Sequence, residues 1–194
     1  MSQAVYFSHF LVTNQVFYRR LLIRLQRTRY SYALVNLKPL VPGHVLIAPL
    51  RPTCVRLRDL TPEEHSDYFQ TLQVVHQFIQ AEFKAAALNI AIQDGPEAGQ
   101  TVPHLHTHLI PRYADNNIGD AIYDHLDRWS FEDQLADWQR RRAAYCGDEA
   151  ARRELAKPDD VRKPRTADDM TAEARALSAG LQSFLADHPA LAPK

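Results

Sequence analysis

The sequence predicts an α+β domain: an antiparallel sheet of about five strands with two main helices. Three observations predict it. Two segments, "LNIAIQD" (88–94) and "VPHLHTHLIP" (102–111), alternate in character with the period of two that marks a half-buried strand. A long segment from Thr61 carries apolar residues at helical spacing behind a capping signal, and a second such segment begins near Thr166.

The elements follow in order. "VFYRRLLIRLQRTRY" (16–30) holds five arginines, at 19, 20, 24, 27 and 29. Of a twisted hairpin and a short amphipathic helix it favours the strand reading, with a solvated basic face, the alternative for 19–29 being a docking patch for polyphosphate or a protein partner. "YSYALVN" and "HVLIAPL" read as strands, joined by a turn at "LKPLVPG" with two prolines and a glycine. In "TPEEHSDYFQTLQVVHQFIQAEFKA", Thr61 is the expected N-cap, Pro62 the first helical residue and Glu64 the partner in a capping box. Tyr68, Leu72, Val75, Ile79 and Phe83 form its apolar stripe, and His65 and His76 are expected at its surface or boundary.

Leu88, Ile90 and Ile92 face one way and Asn89, Ala91 and Gln93 the other. Leu105, Thr107 and Leu109 likewise oppose His104, His106 and His108. The two strands are expected to pair antiparallel, with the apolar face against the Thr61 helix and the histidines and Gln93 on the opposite face. "RYADNNIGD" reads as a loop, 130–165 as a charged stretch ending in a linker, "KPDDVRKPRT". The last helix should carry Met170, Ala174, Leu177, Leu181 and Leu185 behind an N-cap at Thr166.

Composition bounds the function. Of 194 residues 45% are hydrophobic, enough for a proper core. Lys+Arg and Asp+Glu are 23 each, which argues against a general nucleic-acid binder. Two cysteines, Cys54 and Cys146, lie outside any CxxC spacing, so a disulfide framework or cysteine zinc site is not expected. No apolar run approaches the roughly 20 residues of a membrane span. "MSQAVYFSHF" lacks a basic region followed by an apolar one. The expected compartment is the cytoplasm, with the nucleus second.

Three imidazoles at every second position admit three readings. The first is a solvated face. The second is a zinc site, completed by His108 or by a carboxylate such as Asp94 or Glu97. The third is nucleophilic attack on phosphorus, since a neutral imidazole is available near its unperturbed pKa of about 6.5. The preceding loop, "QDGPEAGQTV", favours the third. Gly95 and Gly99 allow close backbone approach, and main-chain N–H groups, the Gln100 amide and the Thr101 hydroxyl can donate to phosphate oxygens.

The motif His104-Leu105-His106-Thr107-His108-Leu109-Ile110 resembles the signature of the histidine triad (HIT) superfamily. "NLKPLVPGHVLIAPLRP", "DLTPEE", "FQTLQ", "QDGPEAGQTV" and "AIYDHL" resemble its fragile histidine triad branch, the dinucleoside polyphosphate hydrolases, over most of 5–125. The resemblance implies a HIT catalytic domain over 1–128, a variable segment over 129–165 and a packed carboxyl-terminal helix over 166–194. It implies a homodimer that hydrolyses diadenosine triphosphate to AMP and ADP through a nucleotidyl-histidine. His106 would be the nucleophile, flanked by His104 and His108, with His108 touching phosphate. His9, Asn36, Gln93, Gly99, Gln100, Thr101 and Val102 would contact the nucleotide or phosphates, and His44 would orient a triad ring from behind. No prosthetic group or resident metal is implied; magnesium or manganese would arrive with the substrate. The leaving oxygen would be served by His108 or by hydrogen bonds that Gln93 organises. Tyr123 matches a position linked to regulation. Two departures stand out: Pro103, with no N–H, replaces a basic residue before the triad, and the segments at 19–29 and 130–165 look inserted. The alternatives are a phosphoramidase or nucleotidyl transferase of the same superfamily, and a nucleotide-bound signalling module.

Overall fold

The computed structural model describes residues 4–19, 30–113 and 165–191. Tyr123, residues 129–164 and positions 20–29 of the arginine-rich segment lie outside the described residues. Seven strands are described: β1 (Tyr6–Phe7), β2 (Phe10–Leu11), β3 (Val16–Arg19), β4 (Ser31–Val35), β5 (Val45–Pro49), β6 (Ala87–Ile92) and β7 (Thr107–Arg112). The helices are α1 (Pro62–Glu82) and α2 (Ala167–Asp187). β3 to β7 form one sheet in the order β3-β4-β5-β7-β6, with every neighbour antiparallel. β1 and β2 form a separate two-stranded ribbon.

The β4–β5 turn closes on Gly43, whose φ of +79° suits glycine and whose added Cβ would lie 2.7 Å from the Phe83 ring. α1 begins as expected. Thr61 Oγ1 accepts from Glu64 N–H, and a Glu64 carboxylate oxygen accepts from Thr61 N–H at 2.9 Å. Glu64 is buried, and both its oxygens also accept from Arg51, at 2.8 and 2.6 Å. That bond holds its carboxyl below the usual range. α2 is capped by Thr166, whose hydroxyl accepts from Asp169 N–H at 3.1 Å.

The sheet's two faces have different covers. Ala33, Val35, Val45, Ile47, Leu105 and Leu109 pack against α1 and against Met170, Ala174, Leu177 and Leu181 of α2. The other face, with Tyr32, Leu34, Leu46 and Ala48, packs against Val5 and Val12 flanking the ribbon. Register ties the histidines to this second face: His108 pairs with Leu46 on one side and Ala91 on the other. The expected division between an apolar helix-bearing face and a histidine face therefore holds. Thr107, on the helix side, bonds the buried Tyr68 hydroxyl at 2.7 Å. Two details differ. Ile90, in the edge strand, is 45% exposed rather than covered by α1. The histidines are also not three teeth of one strand. β7 begins only at Thr107; His104 lies in a bend, its N–H on the Val102 carbonyl. Pro103, buried at the loop exit, has no N–H to extend the ladder.

Candidate active site

The three imidazoles end up in different bonds, and those bonds fix their tautomers. His104 is fully buried. Its Nδ1 faces the Ser8 N–H at 2.8 Å and must accept, so the proton sits on Nε2, which donates to the Pro49 carbonyl at 2.9 Å. Both ring nitrogens are therefore occupied by backbone. Burial drives its pKa down to about 3, and neighbouring His106 and Arg51 push the same way.

His106 is the ring left with a usable lone pair. Its Nδ1 lies 2.8 Å from the His104 carbonyl oxygen, which can only accept. The proton is thus on Nδ1 and the lone pair on Nε2. Burial lowers its pKa, against the opposing bond to that carbonyl, so the ring is neutral near pH 7. The same carbonyl accepts from the Gln100 side-chain amide at 3.3 Å.

His108 is set from behind. The Leu40 N–H points at His44 Nδ1 (3.1 Å), so His44 carries its proton on Nε2. That nitrogen is 2.9 Å from His108 Nδ1, which accepts and leaves the His108 proton on Nε2. The two rings that flank His106 thus differ. His104 is locked into the fold through both ring nitrogens, while the His108 ring, its centroid 5.0 Å from that of His106, carries its proton on a buried Nε2. The Asn36 amide nitrogen lies 3.1 Å from His44 Nε2 and 3.5 Å from Nδ1, resting against the ring as a contact between two donors, and its oxygen accepts from Lys38 N–H.

The loop before the triad is a tight cradle. Gly95 has φ +123° and Gly99 φ +83°, around a short turn at Pro96–Ala98. A Cβ on Gly95 would meet the Arg56 guanidinium at 2.8 Å. The N–H groups of Ala98 and Gln100 close on the Gly95 carbonyl, and that of Gly99 on Pro96. The Gln100 amide, expected to reach phosphate, is instead spent on the Val55 and His104 carbonyls, at 2.7 and 3.3 Å. In this arrangement Gln100 braces the loop and the carbonyl behind His106. Thr101 is exposed and Val102 half-buried. Gln93 is half-buried one step past β6, in phase with Ala91 beside His108. His9 is half-buried, its ring 4.0 Å from that of Phe10. His104 has no nitrogen left for a metal, so the reading of three converging zinc ligands fails on its bonds. Among the described residues no cluster of three His, Cys, Asp or Glu side chains could hold a metal ion.

Sequence reasoning missed three participants. Phe7 stacks on His104 (centroids 5.2 Å, 29°) and meets His106 edge-on (5.3 Å, 87°). Ser8, at φ +55°, aims its N–H at His104. Arg165, read as the end of a linker, donates to the Asn36 carbonyl. Ribbon and carboxyl-terminal segment are far from the triad in sequence, and no spacing within either could announce the contact.

Comparison with known proteins places the chain in a family. A model of the HIT domain matches residues 23–115. The bis(5'-adenosyl)-triphosphatase of Saccharomyces cerevisiae is 50% identical over 210 residues, covering 98% of each chain. The asymmetrical bis(5'-nucleosyl)-tetraphosphatase of Schizosaccharomyces pombe is 45% identical over 182 residues, covering 91% of this chain and 94% of that one. Among solved structures, the Plasmodium falciparum diadenosine triphosphate hydrolase in complex with Cyclomarin A is similar with a TM-score of 0.61 and 25% identity, covering 94% of this chain and 87% of that one. The C. elegans NitFhit protein gives 0.60 and 26%, covering 93% of this chain and 31% of its own. With a triad whose middle ring is held as a neutral lone-pair donor, and relatives at this identity over nearly the whole length, the chain belongs to the HIT domain family.

Proposed function

We propose that this protein hydrolyses dinucleoside polyphosphates, cleaving diadenosine triphosphate to AMP and ADP through a nucleotidyl-histidine on His106. The observation that carries the reading is the 2.8 Å bond from His106 Nδ1–H to the His104 carbonyl, which puts the lone pair on Nε2. The names of the two yeast relatives support the substrate class, and the longer, more identical match favours the triphosphate over the tetraphosphate.

In the first step His106 Nε2 forms a bond to the α-phosphorus and the bond to the bridging oxygen breaks. ADP leaves as an anion. Its charge is met by the magnesium or manganese that arrives with the substrate and by the His108 Nε2–H. The imidazolium left on His106 keeps its Nδ1 proton on the His104 carbonyl, an acceptor already in place when positive charge develops. Water then attacks phosphorus, the P–N bond breaks, AMP departs and one proton goes to solvent. The working unit is proposed to be a homodimer; β6 is an edge strand with the exposed Ile90, a surface suited to a second copy.

The test is mass spectrometry of protein mixed with diadenosine triphosphate and quenched in alkali, where a histidine phosphoramidate survives. An AMP-sized adduct on His106 is expected, and His106→Asn should lose both the adduct and turnover. A His106→Asn variant that keeps more than a few per cent of parental turnover refutes the assignment.

A further inference from the structure

Outside the triad, one contact joins the carboxyl-terminal segment to the nucleotide face. Arg165 precedes the N-cap of α2. Its Nε donates to the Asn36 carbonyl at 3.2 Å, and Nη2 donates to the same oxygen. Its main-chain N–H donates to the Leu37 carbonyl at 3.1 Å. Nη1 pairs with the Glu173 carboxylate one to two turns into α2. The side chain is only 22% exposed, so a partly desolvated cation is shared between the Glu173 carboxylate and one peptide carbonyl, that of Asn36.

That peptide group matters because of what its side chain touches. The Asn36 amide nitrogen lies 3.1 Å from His44 Nε2, and His44 Nε2 lies 2.9 Å from His108 Nδ1. We propose that Arg165 is a positioning residue: by gripping the main chain at Asn36 it holds the amide that packs on His44, and through His44 the orientation of His108. This rests on the hydrolase reading above, in which His108 meets the phosphates.

A role limited to docking α2 does not account for the contact. That helix already buries Met170, Ala174, Leu177 and Leu181 and carries its own cap at Thr166. The apolar stripe holds the helix, while Arg165 reaches past it to Asn36 and Leu37, immediately after β4 ends at Val35.

The experiment compares Arg165→Met, which keeps the aliphatic stem but removes the donors, with Arg165→Lys and with Leu177→Ala, which loosens α2 without touching Asn36. Steady-state kcat and KM on magnesium diadenosine triphosphate are read beside ring-nitrogen NMR of the histidines. Arg165→Met is expected to lose roughly tenfold in kcat/KM, the low end of a charged donor's worth. Arg165→Lys should recover part of that loss. Arg165→Met placed on Asn36→Ala should add little to the loss from Asn36→Ala alone, because both act on one chain of contacts. The ring signals of His44 and His108 should move while those of His104 stay. Parental kcat/KM in Arg165→Met, full additivity with Asn36→Ala, or an equal loss in Leu177→Ala would overturn the inference. Should the parent itself fail to turn over substrate, the hydrolase reading falls and the ring signals alone decide: still signals at His44 and His108 sink the positioning role.

Discussion

Acidification should unfold this protein earlier than its carboxylates would, and the cause is the triad. His104 is neutral in the fold with a pKa of about 3, while in the unfolded chain it titrates near 6.5. Below the unfolded value the unfolded chain binds a proton that the native state refuses. Stability is therefore fully present above pH 6.5 and lost as pH falls toward 3. Each pH unit inside that window costs about 1.4 kcal/mol per such group, so moving from pH 7 to 5 removes about 2 kcal/mol through His104 alone. His106 is shifted in the same direction by burial and adds to the loss. Glu64, whose pKa is lowered by Arg51, destabilises only below the ordinary carboxylate range and is silent in this interval. A loss of about 2 kcal/mol is a large part of the 5–15 kcal/mol typical of a domain. Urea titrations at pH 7, 6 and 5 measure it. His104→Gln, whose amide can both accept from Ser8 and donate to Pro49, should be less stable at pH 7 but should lose about 2 kcal/mol less on acidification. Equal parental stability at pH 7 and 5, or an unchanged acid loss in His104→Gln, would refute the neutral, backbone-locked His104.

Two further outcomes are expected from packing. Tyr68→Phe removes a buried hydroxyl that lies 3.1 Å from the Ile47 carbonyl and 2.7 Å from Thr107 Oγ1, so it should cost about 1–3 kcal/mol by urea denaturation. Because this bond lies on the helix face, kcat should change little; a large fall in kcat with unchanged stability would contradict the division of faces. Gly43→Ala must place a Cβ at φ +79° against the Phe83 ring, and a loss of about 1–3 kcal/mol in the same assay is expected. A neutral substitution there would mean that the β4–β5 turn is not closed as described.

The local elements were legible because they obey short-range rules. Thr61, Pro62 and Glu64 specify a helix start within four residues, and all of them act as expected. The alternation in 88–93 and 102–111 placed Leu109 and His108 on opposite faces, since the pleat has a period of two whatever lies around it. The same alternation put His104 and His106 on the histidine side, where they meet Phe7, but did not show their place ahead of the strand, which starts at Thr107. The Leu105 N–H goes to the Cys54 carbonyl and the His104 N–H to that of Val102, so these residues stay out of the ladder, and only the fold supplies Cys54.

By itself the sequence determined which residue types could do chemistry and that they were concentrated in one short stretch beside a glycine-bearing loop. The spacing alone could not choose among a solvated face, a metal site and a nucleophile, because all three use the same imidazoles; the loop and the family resemblance favoured the nucleophile. What tertiary structure added was the placement of protons. Ser8 and Pro49 close off His104, the His104 carbonyl turns the lone pair of His106 outward, and Leu40 acting through His44 places the proton of His108. Apart from the His104 carbonyl, two residues from His106, those partners come from a ribbon, a strand end and a turn that lie as many as 96 residues away, so no local pattern encodes them. A ring nitrogen becomes donor or acceptor only when the fold has put a particular atom in front of it.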